Sequence, residues 1–143
     1  MDSLSDRVVS RMMQEDAFSK WLGIEVLATG PGTCALQMVV TADMLNGFHM
    51  AHGGISYALA DSCLAFAANG HGIQCVSVET SISHTAPTLE GDELMAEAIE
   101  EQCAKTFARY RVHVWRKTDQ KTVALFKGTV FRTGKAWFSE TTD

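Results

Sequence analysis

Residues 46–69, NGFHMAHGGISYALADSCLAFAAN, decide the fold of this chain. Gly53 and Gly54 open a run in which nearly every position is apolar or small, and glycines follow again after Asn69. Apolar side chains around the whole circumference predict a helix over about residues 53–69 that is buried on all sides. Asp61 interrupts this run with a carboxylate, which is costly to bury without a partner. The helix therefore predicts the core and also raises the question of what Asp61 does.

The segments on either side of this helix predict the remaining elements. Residues 3–22 are expected to form an N-terminal helix that ends at Gly23, and IEVLATG and TCALQMVV should form a hairpin around Gly30-Pro31-Gly32. After the central helix, four segments have alternating or strand-like patterns: QCVSVETSISH, DELMAEAIEEQC, TFARYRVHVWR and KTVALFKGTVFRT. Consecutive strands with short turns favour an antiparallel meander. One helix against one curved sheet predicts a single α+β domain over residues 1–143.

Composition narrows the class of protein. The 143 residues are 46% hydrophobic and 20% charged, as in an ordinary globular domain. The polar N-terminus has no apolar signal segment, and the most hydrophobic stretch, residues 54–68, is too short to span a bilayer. We therefore expect a cytoplasmic protein with no membrane role. The net charge of -5 argues against general binding of nucleic acid.

Positive charge is confined to one part of the chain. Residues 21–104 contain no lysine or arginine, whereas residues 105–135 contain nine of them against Asp119 alone. Such a segment is either a solvated strand face or a binding surface for a polyanionic ligand such as a nucleotide phosphate.

The glycine pair and Asp61 together suggest acyl transfer. Free backbone N–H groups and the positive end of the helix dipole at Gly53 form a ready oxyanion hole. Asp61 could act as nucleophile or as base for water, or it could be a carboxylate that is merely capped or exposed. Eight residues separate Gly53 from Asp61, about 12 Å along a helix axis, so one carbonyl group cannot touch both. A shared site therefore requires Gly53 and Asp61 from two copies in a two-fold dimer.

Other chemistries have weaker support. GISYA resembles a GxSxG nucleophile elbow, but Ala58 replaces the second glycine and no parallel βαβ unit surrounds Ser56. His49, His52 and Asp61 fall below the usual ligand count for a metal site. Neither a Walker A nor a GxGxxG pattern is present. We therefore expect no metal and no cofactor.

The motif LNGxxxxHGGxxxxLADxxxAFAxN resembles the hotdog-fold acyl-CoA thioesterases, in particular the phenylacetate-degradation (PaaI) group. The similarity continues through VSVETSI, GDELMAEA and KTVALFKG. The resemblance implies a long central helix wrapped by a curved antiparallel sheet of five to six strands. It also implies hydrolysis of acyl-CoA thioesters, such as phenylacetyl- or hydroxyphenylacetyl-CoA, with coenzyme A present only as part of the substrate. Members form homodimers with active sites between subunits, usually paired into homotetramers.

The resemblance also assigns roles to residues. Asp61 would be the catalytic carboxylate, as nucleophile or general base, and the Gly53 amide would polarise the thioester carbonyl. Asn46 and His52 would position the thioester and the nucleophile. Ser77 would orient Asp61 or the attacking water.

The chain departs from the family at one position. Relatives commonly carry a basic residue before the proline equivalent to Pro87, where this chain has Ala86. Binding of the CoA phosphates is therefore predicted for the basic segment, by Arg109, Arg111 and Lys127. Two alternatives remain open: a hotdog dehydratase or hydratase that uses a histidine and a carboxylate as acid and base, and a non-catalytic acyl-CoA-binding protein.

Overall fold

The computed structural model describes residues 2–139, which form an α+β fold of one antiparallel sheet around a central helix. The helices are α1 (Leu4–Glu15), α2 (Ala17–Leu22) and α3 (Gly53–Asn69), with a 3-10 turn at Ala42–Met44. The strands are β1 (Glu25–Gly30), β2 (Thr33–Val39), β3 (Ile73–His84), β4 (Glu93–Cys103), β5 (Phe107–Arg116) and β6 (Thr122–Ala136). No helix among the described residues is long and apolar enough to cross a membrane.

The N-terminal segment forms two helices, so the prediction of one helix over residues 3–22 is wrong. Asp16 leaves helical geometry, with φ −87° and ψ 81°, and its carboxylate accepts a hydrogen bond from the Ser19 N–H at 2.9 Å. An aspartate that caps the following turn competes with continuation of the helix. The predicted stop at Gly23 is confirmed, because Gly23 is left-handed with φ 73°.

The predicted hairpin is confirmed. β1 and β2 pair in antiparallel fashion across the turn, where Gly32 has φ 82°. The alternation in β2 places Cys34, Leu36 and Met38 in the core, each at most 2% exposed.

The strand order differs from a simple meander. The sheet runs β1-β2-β4-β5-β6-β3, so β4, β5 and β6 form a meander, while β3 pairs with β6 at the far edge. Residues 85–92 between β3 and β4 are a long connection and not a tight turn. The Thr88 carbonyl accepts a hydrogen bond from the Ala51 N–H at 2.8 Å, and the Thr85 N–H donates to Val123 O at 2.9 Å. These bonds hold the connection between β6 and the loop that precedes α3.

The central helix has the predicted bounds, Gly53–Asn69. Leu59, Cys63 and Phe66 are at most 1% exposed and pack with inward side chains of the sheet such as Val112. The sheet curves around this helix and buries most of its surface, as predicted. The helix is consequently the rigid element that positions both Gly53 and Asp61.

Candidate active site

The loop before α3 is held together by Asn46. Its N–H donates to Met50 O at 2.7 Å, and its Oδ1 accepts from the N–H groups of Phe48 at 2.9 Å and Met50 at 3.3 Å. The Asn46 Nδ2 group donates to no atom within residues 2–139. The side chain therefore shapes the loop with its oxygen and keeps its two amide donors available.

His52 caps the N-terminus of α3 and determines which backbone donor stays free. Its Nδ1 accepts from the Gly54 N–H at 2.9 Å, and its carbonyl oxygen accepts from the Ile55 N–H at 2.9 Å. The Gly53 N–H has no acceptor within the described part of the chain. The first turn of α3 thus offers one free N–H, at the positive end of the helix dipole, and this N–H belongs to Gly53.

Gly53 borders a cavity of about 390 Å³ that also contains His84. A Cβ added to Gly53 would lie 3.1 Å from His84 Nε2. Ser56 Oγ lies 3.3 Å from both Gly53 O and His84 Nδ1. Both contacts can be hydrogen bonds if the Ser56 hydroxyl donates to Gly53 O and accepts from His84 Nδ1. In that arrangement, His84 Nε2 lies beside Gly53.

Asp61 lies two turns further along α3 and is half-buried. Within residues 2–139 its carboxylate makes no hydrogen bond or ion pair, and burial raises its pKa above the usual 3.8. Ser62 does not cap it, because the Ser62 hydroxyl bonds to the Ser19 hydroxyl at 2.8 Å. Asp61 is therefore neither capped by its neighbours nor fully exposed. An unpaired carboxylate of raised proton affinity is suited to act as a base.

Asp61 shares a second cavity, of about 260 Å³, with Ser77. The structure thereby brings these two predicted residues together, Asp61 from α3 and Ser77 from β3. Leu64 and Met12 supply part of the apolar wall of this cavity.

The Gly53 and Asp61 cavities have no lining residue in common. His52 belongs with Gly53 through the helix cap, while Asn46 lies in the preceding loop and lines neither cavity. Both groups sit on one helix, about 12 Å apart along its axis. Within one chain, Gly53 and Asp61 therefore lie in separate cavities.

Two of the three predicted phosphate-binding residues are cross-strand neighbours. Arg111 in β5 lies opposite Lys127 in β6, and both are exposed and line a groove of about 640 Å³. Arg109 donates to Gln102 Oε1 at 2.8 Å and shares a smaller cavity with Lys127. Neither space is lined by Gly53 or Asp61.

Sequence reasoning did not place His84 or Arg116 near Gly53, and it considered Ser56 only as a nucleophile. Arg116 donates from Nη1 to Pro87 O at 3.0 Å and from Nη2 to Asp119 Oδ2 at 2.7 Å. Because Pro87 lines the Gly53 cavity, this guanidinium places a basic group at the cavity edge, although Ala86 is not basic. No local pattern joins these residues, since β3, α3 and β5 meet only in the folded chain.

Comparisons with known proteins agree with this fold. Residues 48–123 match the thioesterase superfamily. The chain is 37% identical to the acyl-coenzyme A thioesterase PaaI of Escherichia coli K12 over 123 residues, which cover 86% of this chain and 87% of that protein. The structure of the PaaI protein from the E. coli phenylacetic acid degradation operon superposes with a TM-score of 0.90 at 34% identity, and covers 93% of this chain and 96% of that one.

A second solved structure extends the similarity to another bacterium. A mutant of the phenylacetic acid degradation protein PaaI of Thermus thermophilus is 40% identical, with a TM-score of 0.78 over 82% of this chain and 99% of that one. By sequence and by fold, this chain belongs to the thioesterase superfamily, among the hotdog-fold acyl-CoA thioesterases of the PaaI family.

Proposed function

We propose that the protein hydrolyses acyl-CoA thioesters to a free acid and coenzyme A in a site built from two chains. The observation that carries this proposal is the pair of unused groups on α3: the free Gly53 N–H and the unpaired Asp61 carboxylate. They are too far apart to serve one carbonyl group within one chain. Side by side in a two-fold dimer, they supply an oxyanion donor and a carboxylate to the same thioester.

The chemistry follows from these two groups. The Gly53 N–H and the helix dipole stabilise the negative charge that develops on the thioester oxygen. Asp61 of the second chain takes a proton from water as the water oxygen adds to the carbonyl carbon. The tetrahedral intermediate then collapses, the C–S bond breaks, and Asp61 returns its proton to the departing CoA sulfur while the carboxylic acid ionises to solvent. The raised pKa of Asp61 favours this general-base route, since the carboxylate holds a proton more firmly. Ser77, in the same cavity as Asp61, would orient the water.

A direct attack by Asp61 on the carbonyl carbon is the alternative route. It would form a mixed anhydride that water then hydrolyses. Single turnover in ¹⁸O-labelled water, with enzyme in excess, separates the two. The general-base route leaves Asp61 unlabelled, whereas hydrolysis of the anhydride at the Asp61 carbonyl would place ¹⁸O in the Asp61 carboxylate.

The edge of the sheet supports dimer formation. β3 is an edge strand, and its Val76 and Val78 are more than half exposed in the single chain. Long apolar edges readily pair with a second strand. Two-fold pairing that sets each Gly53 opposite the other chain's Asp61 places Tyr57, midway between them, near the symmetry axis. The paired dimers of a homotetramer remain part of this proposal.

The substrate follows from the cavities and charges. We propose an aryl or medium acyl group in the apolar Asp61 cavity and the CoA phosphates beside Arg111 and Lys127. Two like charges directly opposite each other destabilise a sheet, and a bound phosphate relieves that repulsion. The cytoplasmic location expected from the sequence is also part of the proposal.

The decisive test is thiol release from a panel of acyl-CoA thioesters by Asp61→Asn. We expect kcat to fall by at least about 100-fold, because a positioned general base contributes roughly 10²–10⁴. Asp2→Asn is the matched control, since Asp2 is exposed, precedes α1 and lines neither the Gly53 nor the Asp61 cavity, and it should retain normal turnover.

Near-normal hydrolysis by Asp61→Asn would refute the mechanism. Loss of enoyl-thioester absorbance without thiol release would instead identify a hydratase. Tight binding of acyl-CoA with neither reaction would identify a binding protein.

A further inference from the structure

A second group of chemically reactive side chains lies away from Gly53 and Asp61. His71, Glu100 and Cys103 place one ligand atom each, Nε2, a carboxylate oxygen and Sγ, within 4.8 Å of one another. None of the three lines the Gly53 or the Asp61 cavity. The proposed hydrolysis leaves this cluster without a role.

The fold brings these residues together by two local features. His71 directly follows α3, where the chain turns at Gly70 and Gly72 towards β3. Glu100 and Cys103 lie three positions apart in β4, which would place them on opposite faces of a regular strand. A β-bulge between Glu100 and Gln102 adds one residue and turns both side chains to the same side.

The carboxylate is already positioned at the centre of the cluster. Glu100 Oε1 lies 2.7 Å from His71 Nε2 and accepts a hydrogen bond from the Tyr110 hydroxyl at 2.6 Å. The side chains of His71 and Glu100 are each about a quarter exposed, at 26% and 24%, and Cys103 is exposed. An ion can therefore enter from solvent, and water can occupy a further coordination position.

We propose that His71, Glu100 and Cys103 bind a zinc ion. Imidazole, carboxylate and thiolate are the ligands that zinc accepts, and three protein ligands with one water complete a tetrahedron. Ligand atoms in such a site are about 3.5 Å apart, so the side chains need to move by only about 1 Å. On binding, His71 holds its proton on Nδ1, and Cys103 releases its thiol proton to solvent.

The charges near the cluster suit a divalent cation. Glu100 supplies one negative charge, and Cys103 supplies a second once the metal displaces its thiol proton, whereas Arg132 is the neighbouring cation. The Arg132 guanidinium donates from Nη1 to Ala104 O at 3.0 Å. A net negative charge remains to attract the metal. An ion there would clamp the end of α3 to β4.

The test uses the full-length protein after removal of metals with a chelator. Cobalt(II) is titrated first, because a cobalt–thiolate bond produces a charge-transfer absorption, and zinc is then added to displace it. We expect saturation at one ion per chain, displacement by zinc and a higher unfolding temperature with zinc bound. Cys103→Ser should abolish the absorption, and both Cys103→Ser and His71→Gln should weaken zinc binding by at least about tenfold.

His113→Gln is the control, because His113 is a histidine in β5 that bonds to Thr122 and lies outside the cluster. It should bind zinc like the unaltered protein. Absence of a saturable cobalt–thiolate absorption, or its persistence in Cys103→Ser, would overturn the proposal. Equal weakening by His113→Gln and His71→Gln would do the same.

Discussion

Gly53 can assist catalysis in two ways: its lack of a side chain leaves room for the substrate, and its backbone N–H can stabilise the oxyanion. Two substitutions distinguish these contributions. Gly53 is the first residue of α3, where proline is tolerated, and His52 has the extended φ and ψ, −58° and 140°, that suit a residue before proline. Gly53→Pro deletes the free N–H, whereas Gly53→Ala adds a Cβ and keeps it. We expect kcat for Gly53→Pro to be about 10²–10³ lower than for Gly53→Ala. Thiol release gives the rates and circular dichroism checks the fold; equal rates would show that the N–H is not the oxyanion donor.

The ionised Asp61 carboxylate should lower the free energy of unfolding at neutral pH. Its pKa is raised in the folded chain by burial, so the native state holds this proton more tightly than the unfolded state. The stability that this group contributes is present below pH 3.8 and is lost as the pH rises through the folded pKa. Asp61→Asn should therefore melt at a higher temperature than the unaltered protein at pH 7, and the gap should narrow as the pH falls towards the unfolded pKa.

Asp119 provides a control of opposite sign for this melting series. Its bond with Arg116 lowers the pKa of Asp119, so it contributes stability above pH 3.8 that is lost as the pH falls. Asp119→Asn should melt at a lower temperature than the unaltered protein at pH 7. If both variants shifted the melting temperature in the same direction, the account of Asp61 would fail.

The end of α3 depends on a close approach between two backbone segments. A Cβ on Gly70 would lie 2.5 Å from the carbonyl oxygen of Gly30, and neither backbone can move aside freely. Gly70→Ala should therefore lower the free energy of unfolding by about 1–3 kcal/mol. Gly47→Ala, with no atom within 4 Å of the added Cβ, should change it by less than about 0.5 kcal/mol. Denaturant unfolding measures both values, and similar losses would contradict the steric explanation.

Element bounds were predictable where local signals are strong. Apolar residues flanked by glycine pairs gave α3 from Gly53 to Asn69, and alternation located β2 in full. Periodicity carries no information on which strands become neighbours, so the pairing of β3 with β6 was missed. The break at Asp16 was missed because its cap depends on one side-chain bond within an otherwise helical pattern.

The candidate site combines residues that are close in the sequence with residues that only the fold brings together, and only the first kind was predictable. Asn46, His52, Gly53 and Asp61 lie in one continuous stretch, so the sequence could predict them together. The spacing of Gly53 and Asp61 led to the hypothesis of a shared site, and the resemblance supplied the roles predicted for Asn46 and His52. His84, Arg116 and the His71 cluster come from distant segments, and only the folded sheet brings them to their partners. These residues have no signature in the linear sequence.

A shared site has a direct test at the level of the assembly. Gly53→Pro and Asp61→Asn chains should each be inactive alone. After subunit exchange in equal mixture, half of the dimers contain one chain of each kind, and each of those has one intact site of two. Activity should recover to about a quarter of normal. Continued inactivity, with exchange verified by differently tagged chains, would place the whole site within one chain.

In the proposed shared site, catalysis depends on encounter between chains, because Gly53 and Asp61 lie far apart on one helix. Under that proposal, a lone chain has both groups but cannot bring them to the same thioester. Dilution below the dissociation constant of the dimer should therefore make specific activity fall in proportion to protein concentration, and total activity fall with its square. If the site is shared, the protein would hydrolyse thioesters only at concentrations at which the dimer forms.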